Sequence, residues 1–168
     1  IGIDVFFESE TKLPFMIKGA IGFPNQAQFS PLLFLQHICR NLNIKEHSKV
    51  TDILENQVFT EKEVFTAEQI VVATHYPFID IPGFYFLRQH QERSYVLALS
   101  GCKKIEGMYY GIDKDTLSLR QAGEYLLIGG SSHRTGANKA GGAYEFLEKA
   151  KRHYFPDSEE IARWSAQD

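Results

Sequence analysis

The most constraining feature of this sequence is a series of short apolar segments in its second half. Turn-forming residues separate these segments, which span residues 94–99, 108–112, 117–120 and 124–129. Short strands at this spacing are typical of an antiparallel sheet in which consecutive strands pair. We therefore predict an antiparallel meander in this half of the chain. An amphipathic segment over residues 143–154 follows, and it predicts a helix that flanks the sheet.

The first half of the chain indicates a different arrangement. Ser30 and Pro31 are typical of a helix start, because serine caps free backbone N–H groups and proline suits the first helical position. Apolar residues then recur at helical spacing, at Leu35, Ile38, Cys39 and Leu42. These patterns predict a helix over residues 31–42.

Four short strands are predicted after this helix. They cover residues 48–54, 57–60, 63–66 and 69–74. The last of them is a continuous apolar run, which is typical of a strand buried on both faces. The chain therefore divides near residue 82 into a βα-type lobe, residues 1–82, and an antiparallel lobe, residues 83–168. The predicted fold class is α+β or α/β.

The composition argues against several classes of function. The 168 residues are 43% hydrophobic, which is enough to build a core, and the net charge is -3 with scattered basic residues. The sequence has neither the basic patch that nucleic acid requires nor the roughly 20 apolar residues of a transmembrane helix. Cys39 and Cys102 match no disulfide pattern, and the histidines share no metal-ligand spacing. We expect no nucleic acid, no membrane, no metal and a reduced, cytoplasmic location.

The end of the 69–74 segment is the place where the sequence pattern indicates a ligand site. The segment stops at Ala73 and Thr74, and His75 follows. In an open α/β sheet the ligand binds at the carboxyl ends of the strands, and small residues there let a cofactor approach the backbone. A plain buried strand followed by a loop fits the same pattern, so both interpretations stay open.

Several short motifs, read in order, carry a resemblance to a known family. They are Gly-Ala-Ile (19–21), Gln-Ala-Gln-Phe-Ser-Pro (26–31), Lys-Val-Thr (49–51), Gln-Ile-Val-Val-Ala-Thr (69–74), Leu-Ser-Leu-Arg (117–120), Leu-Leu-Ile-Gly-Gly (126–130) and Trp-Ser-Ala-Gln-Asp (164–168). The ordered set resembles the D-amino-acid-oxidase-like superfamily of FAD-dependent oxidoreductases. It is most similar to the branch that contains glycine and sarcosine oxidases and their Rieske-tailed relatives.

This resemblance implies a fold and an activity. It implies a partial FAD-domain lobe over residues 1–82, an antiparallel substrate-side sheet over residues 83–168, and oxidation of a C–N bond in a small-molecule amine or amino acid. The family's Gly-rich phosphate loop has no counterpart here, and no initiator Met precedes Ile1, so we expect an internal fragment. The FAD would then belong to the parent protein, and the fragment alone would be inactive. An electron acceptor or a Rieske domain is expected outside this chain.

The resemblance also implies a cofactor site. Val50 would contact the adenine side of the dinucleotide through its backbone, and Ala73, Thr74 and His75 would line it. His75 stands where the family has glycine. The alternative for Val50 is an ordinary core valine.

Two further residues are expected at the catalytic site. Arg120 would hold a substrate carboxylate, because a guanidinium binds a carboxylate through two parallel hydrogen bonds. Tyr110 would form a wall of the same cavity. The alternative for Arg120 is a surface arginine on a strand.

Two other functions remain open from the sequence. A pyridine-nucleotide-linked flavin reductase keeps the flavoprotein fold, but it needs a second Gly-rich loop or a cysteine pair beside the flavin. A non-catalytic α+β binding domain needs a self-contained chain with an initiator Met.

Overall fold

The computed structural model describes residues 2–79, 83–113, 115–137 and 143–167. Contacts divide the chain into a first unit, Ile1–Val5 with Phe23–Leu87, and a second unit, Phe6–Gly22 with Arg88–Asp168. The predicted boundary at residue 82 lies outside the described residues.

The described residues form short strands and two short α-helices. The strands are β1 (Phe6–Glu8), β2 (Ala20–Gly22), β3 (Val50–Leu54), β4 (Gln57–Thr60), β5 (Val64–Thr66), β6 (Glu92–Ser100), β7 (Met108–Tyr110), β8 (Ser118–Ala122), β9 (Tyr125–Arg134) and β10 (Glu159–Gln167). The helices are α1 (Pro31–Ile38) and α2 (Glu145–Tyr154), and short 3-10 turns cover Cys39–Asn41 and Tyr85–Leu87. Among the described residues, no helix has the length and apolar character needed to cross a membrane.

The first unit contains α1 and the antiparallel sheet β3-β4-β5. The Ser30 side chain accepts a hydrogen bond from the Leu33 N–H, and Pro31 occupies the first turn, so the start of α1 follows from its local sequence. The α-helix ends at Ile38, and the 3-10 turn continues it to Asn41. The helical segment therefore ends close to the predicted residue 42.

The predicted strand over residues 69–74 is wrong, because the structure shows no strand in this segment. An apolar run forms a strand only where a neighbouring strand accepts and donates its backbone hydrogen bonds. None of the described strands pairs with it, and the Val71 side chain is 87% exposed. The sequence pattern alone does not reveal whether such a neighbour exists.

The second unit is built on a five-stranded antiparallel sheet in the order β10-β6-β9-β8-β7. Strands β7, β8 and β9 are consecutive neighbours, as the predicted meander requires, but β6 lies beyond β9 and pairs with β10 as well. The strand β10 was not predicted. One face of the sheet points toward the core. Its buried side chains come from alternate positions along the strands, such as Leu97, Leu99, Leu119 and Ile128.

Helix α2 covers that inner face of the sheet. Leu147 is fully buried and Ala150 is nearly so, and both belong to the hydrophobic core. Gly130 on β9 permits the close approach, because a Cβ at this position would lie 3.2 Å from the Phe146 ring and 3.5 Å from Leu147. The helix begins at Glu145 rather than at residue 143. Strand β9 extends to Arg134, five residues beyond the predicted segment 124–129. Residues 138–142 lie outside the described residues.

The fold is therefore α+β, with mostly antiparallel sheets and two short helices. Every strand pair of the described residues is antiparallel, and this excludes the α/β alternative for them. The predicted partial FAD-domain lobe has no support in this arrangement, because the open parallel sheet of such a lobe is not formed by the residues described.

Candidate functional site

The face of the five-stranded sheet opposite α2 contains residues that were predicted to be functional. We call it the outer face. Strand register places its side chains in two rows that cross the sheet. One row is Ala162, Ala98, Leu127, Arg120 and Met108, and the other is Trp164, Val96, Gly129, Ser118 and Tyr110. Arg120 is the one charged residue in these two rows.

Arg120 and Tyr110, the predicted catalytic residues, lie on this same face. Arg120 is opposite Met108 across the β7–β8 pair, and Tyr110 is opposite Ser118. Arg120 and Tyr110 are thus diagonal neighbours, which in antiparallel pairs places their Cα atoms roughly 7–8 Å apart. Both side chains are exposed, and Tyr110 is 83% accessible. No ion pair among the described residues includes Arg120.

Gly129 makes room for the Ser118 side chain in the second row of the outer face. A Cβ at this position would lie 2.5 Å from the Ser118 Oγ and 3.8 Å from Val96. The Ser118 hydroxyl therefore occupies the space that a side chain at position 129 would fill, and Gly129 itself is buried.

Val50, the predicted contact to the adenine, lines a shallow cavity in the first unit. The cavity has a volume of about 310 Å³. Its lining consists of Asn43, Lys45, Ser48, Val50, Val58, Thr60 and Phe65. Lys45 Nζ lies 4.4 Å from the centre of the Phe65 ring and 2.8 Å from the Glu63 carboxylate. The cationic group of this cavity is therefore already paired.

Ala73, Thr74 and His75 do not line that cavity. They lie in a tight exposed turn, in which the Tyr76 N–H donates to the Thr74 carbonyl oxygen at 2.7 Å. His75, at the centre of the turn, has φ of 64°. This backbone conformation favours glycine. The structure thus does not bring Val50 together with the other three predicted cofactor contacts.

A buried polar pair in the second unit was missed by the sequence interpretation. His133 is 7% exposed, and its Nε2 lies 3.0 Å from the Tyr95 hydroxyl. Its Nδ1 lies 3.0 Å from the Arg134 carbonyl oxygen, which only accepts, so Nδ1 carries the proton. In neutral His133 the Nε2 then accepts from Tyr95. The predicted strand segment ended at residue 129, whereas β9 continues to Arg134 and includes His133.

Both cysteines are half-buried, with Cys39 in the first unit and Cys102 in the second. Burial raises the pKa of the Cys102 thiol, while its contact with Ser158 and the charge of Lys151 act in the opposite direction. No group of three or more His, Cys, Asp or Glu side chains that could hold a metal ion occurs in the described part of the chain.

Comparison with known proteins gives one informative similarity. The chain is 32% identical over 185 aligned positions to YhfW of Bacillus subtilis (strain 168), which is named as a Rieske 2Fe-2S iron-sulfur protein. The alignment covers 100% of this chain and 36% of YhfW, so the chain spans just over a third of this curated relative. No protein-family profile matches the chain. No solved structure matches it either.

This similarity contradicts the predicted flavoenzyme. We expected an FAD-dependent amine or amino-acid oxidase, with FAD as the cofactor of the parent protein, whereas the relative is named for a 2Fe-2S cluster. The similarity to YhfW supports neither of the two alternatives, a flavin reductase or a non-catalytic binding domain. The Rieske component of the resemblance is the part that the comparison supports. No cofactor is now assigned to the predicted contact residues, which are Val50, Ala73, Thr74 and His75.

Proposed function

We propose that this chain forms part of a protein that transfers electrons by means of a Rieske 2Fe-2S cluster, and that it contributes a folded antiparallel body rather than cluster ligands. The observation that carries this proposal is the 32% identity to YhfW, which extends over the whole of this chain. An electron donor or acceptor is then the expected partner. The cytoplasmic location stays a prediction.

The residues that the structure describes do not fit a Rieske cluster. Such a cluster is held by two cysteine thiolates on one iron and two histidines on the other. In the described ranges no group of three or more His, Cys, Asp or Glu side chains could hold a metal ion. Both ring nitrogens of His133 are engaged within the protein. We therefore assign the cluster to polypeptide other than the described residues.

The test of this function uses the gene product that contains this chain. After aerobic purification it is analysed for iron and acid-labile sulfide, and after reduction it is examined by electron paramagnetic resonance. We expect two irons and two sulfides per polypeptide and the spectrum of a reduced Rieske centre. A folded product without iron and without this spectrum would contradict the proposal.

A second proposal concerns the outer face, and a separate observation supports it. Arg120 is exposed and carries the single charge of the two residue rows, beside the exposed phenol of Tyr110. We propose that Arg120 binds the carboxylate of a small molecule, because a guanidinium matches a carboxylate in geometry and charge.

Glycine and methylamine provide a matched pair of probes for this site. They share an amino group and differ in the carboxylate, and binding is followed by NMR shifts of outer-face amides. We expect shifts with glycine only, and Arg120→Met should weaken the binding about tenfold, equivalent to about 1.4 kcal/mol. Arg152→Met, which removes an exposed arginine from α2, is the control. Equal shifts with both probes, or an unchanged response in Arg120→Met, would remove Arg120 from the site.

A further inference from the structure

We infer that the apolar surface of the first unit is covered, in the folded protein, by polypeptide that corresponds to the part of YhfW outside the matched 36%. This inference concerns a packing surface and does not depend on which cofactor the protein carries.

Helix α1 has apolar side chains on all of its sides. Leu32, Leu33, Phe34 and Leu35 are consecutive, so their side chains point in four directions around the helix axis. Their exposed fractions are 78%, 67%, 54% and 48%. A helix that is hydrophobic all round is typically buried. No buried residue occurs in α1 as the structure shows it.

Among the described residues of the first unit, no strand packs against this helix, and the Phe29 ring, just before the helix, lies 5.7 Å from the Phe34 ring. The one element that α1 contacts there is the 3-10 turn Cys39–Asn41. A helix of eight residues is unstable by itself, because isolated helices shorter than about 12–15 residues are marginal in water. Packing against other polypeptide would supply the missing stability.

The three-stranded sheet of the same unit also lacks a core. Its strands β3, β4 and β5 contain no fully buried residue, and Leu54 and Val64 are more than half exposed. A small sheet needs a buried apolar face or a packed helix for independent stability. All buried residues of the hydrophobic core described here belong to the second unit.

The occupant is chosen from the comparison with the relative. YhfW aligns with the whole of this chain. Nearly two thirds of the length of YhfW lies outside the alignment, and this is enough polypeptide to cover a unit of this size. A second copy of this chain is the main competing occupant. It predicts that burial of α1 depends on protein concentration.

Hydrogen–deuterium exchange followed by mass spectrometry distinguishes these occupants. It is measured on this 168-residue chain at two concentrations a hundredfold apart, and on intact YhfW. We expect peptides of α1 to exchange at the earliest time point in the chain at both concentrations, while peptides of β6 and β9 stay protected. In intact YhfW the segments aligned with α1 and with β6 and β9 should all be protected.

Three outcomes would overturn the inference. Protection of α1 in the chain at low concentration would mean that the chain itself covers the helix. Protection that appears only at high concentration, together with a dimer in size-exclusion chromatography, would identify a second copy as the occupant. Rapid exchange of the aligned segment in intact YhfW would show that no further polypeptide covers it.

A substitution gives an independent measurement. Leu33→Ser should leave the exchange of α1 in this chain unchanged, because the side chain is already 67% exposed. Serine at the aligned position of YhfW should increase exchange of that segment at least tenfold. An unchanged rate in YhfW would also count against the inference.

Discussion

The two leucines Leu147 and Leu33 provide the sharpest contrast between the two units. Both lie on helices, but the Leu147 side chain is fully buried in the core of the second unit, whereas Leu33 is 67% exposed. Leu147→Ala removes three buried carbon atoms at about 0.8 kcal/mol each. A cavity that collapses only in part adds about 1 kcal/mol. We therefore expect a loss of about 3 kcal/mol in the free energy of unfolding.

The matched variant Leu33→Ala should change the free energy of unfolding by less than about 0.5 kcal/mol, as exposed positions do. Urea unfolding measures both variants, with the fluorescence of Trp164 reporting on β10 and far-UV circular dichroism reporting on the helices. A cost above about 2 kcal/mol for Leu33→Ala, or below about 1 kcal/mol for Leu147→Ala, would contradict this difference between the two helices.

Three other predictions follow from polar and backbone features. Tyr95→Phe should lower the free energy of unfolding by about 1–3 kcal/mol in urea titrations, because it leaves the buried Nε2 of His133 without its donor. Substitution of His75 by glycine should relieve the positive φ and stabilise the turn by about 1 kcal/mol, so that exchange of the following amide slows about fivefold. The hydrogen bond and charge of the Lys12 ammonium lower the pKa of Glu106 from its ordinary value, so the stability from this pair is present above that ordinary value and is lost as the pH falls through the lowered pKa. NMR titration should show a higher Glu106 pKa in Lys12→Met, and an unchanged pKa would contradict the assignment.

Local sequence determined the elements that were predicted well. The start of α1 depends on Ser30 and Pro31 and on hydrogen bonds within one turn, so it is visible in six residues of sequence. More buried and less buried residues alternate along β8 and the beginning of β9, because one face of the sheet packs against α2.

Non-local pairing determined what was missed. Strand β10 contains polar residues such as Glu159 and Arg163, and it is extended because β6 lies beside it. The run at residues 69–74 has stronger strand character but no described neighbour. Sequence periodicity reports which residues suit a strand, and it does not report whether a partner is present.

Part of the candidate site could be predicted from the sequence. Arg120 and Tyr110 were chosen by resemblance, but their common face depends on the register of β7 against β8, which the sequence does not contain. The cofactor was predicted wrongly because the family motifs were short. The similarity to YhfW covers all of this chain, and that relative is named as a Rieske 2Fe-2S protein.

The most direct test of this account is iron–sulfur reconstitution of the 168-residue chain by itself. The chain is incubated anaerobically with ferrous iron, sulfide and a thiol reductant, desalted, and examined for iron content and for the visible and paramagnetic spectra of a 2Fe-2S centre. We expect no stable cluster, and the same result for the Cys39→Ser/Cys102→Ser double variant. A stoichiometric cluster that survives desalting and is lost in the double variant would contradict the claim that this chain supplies no cluster ligands.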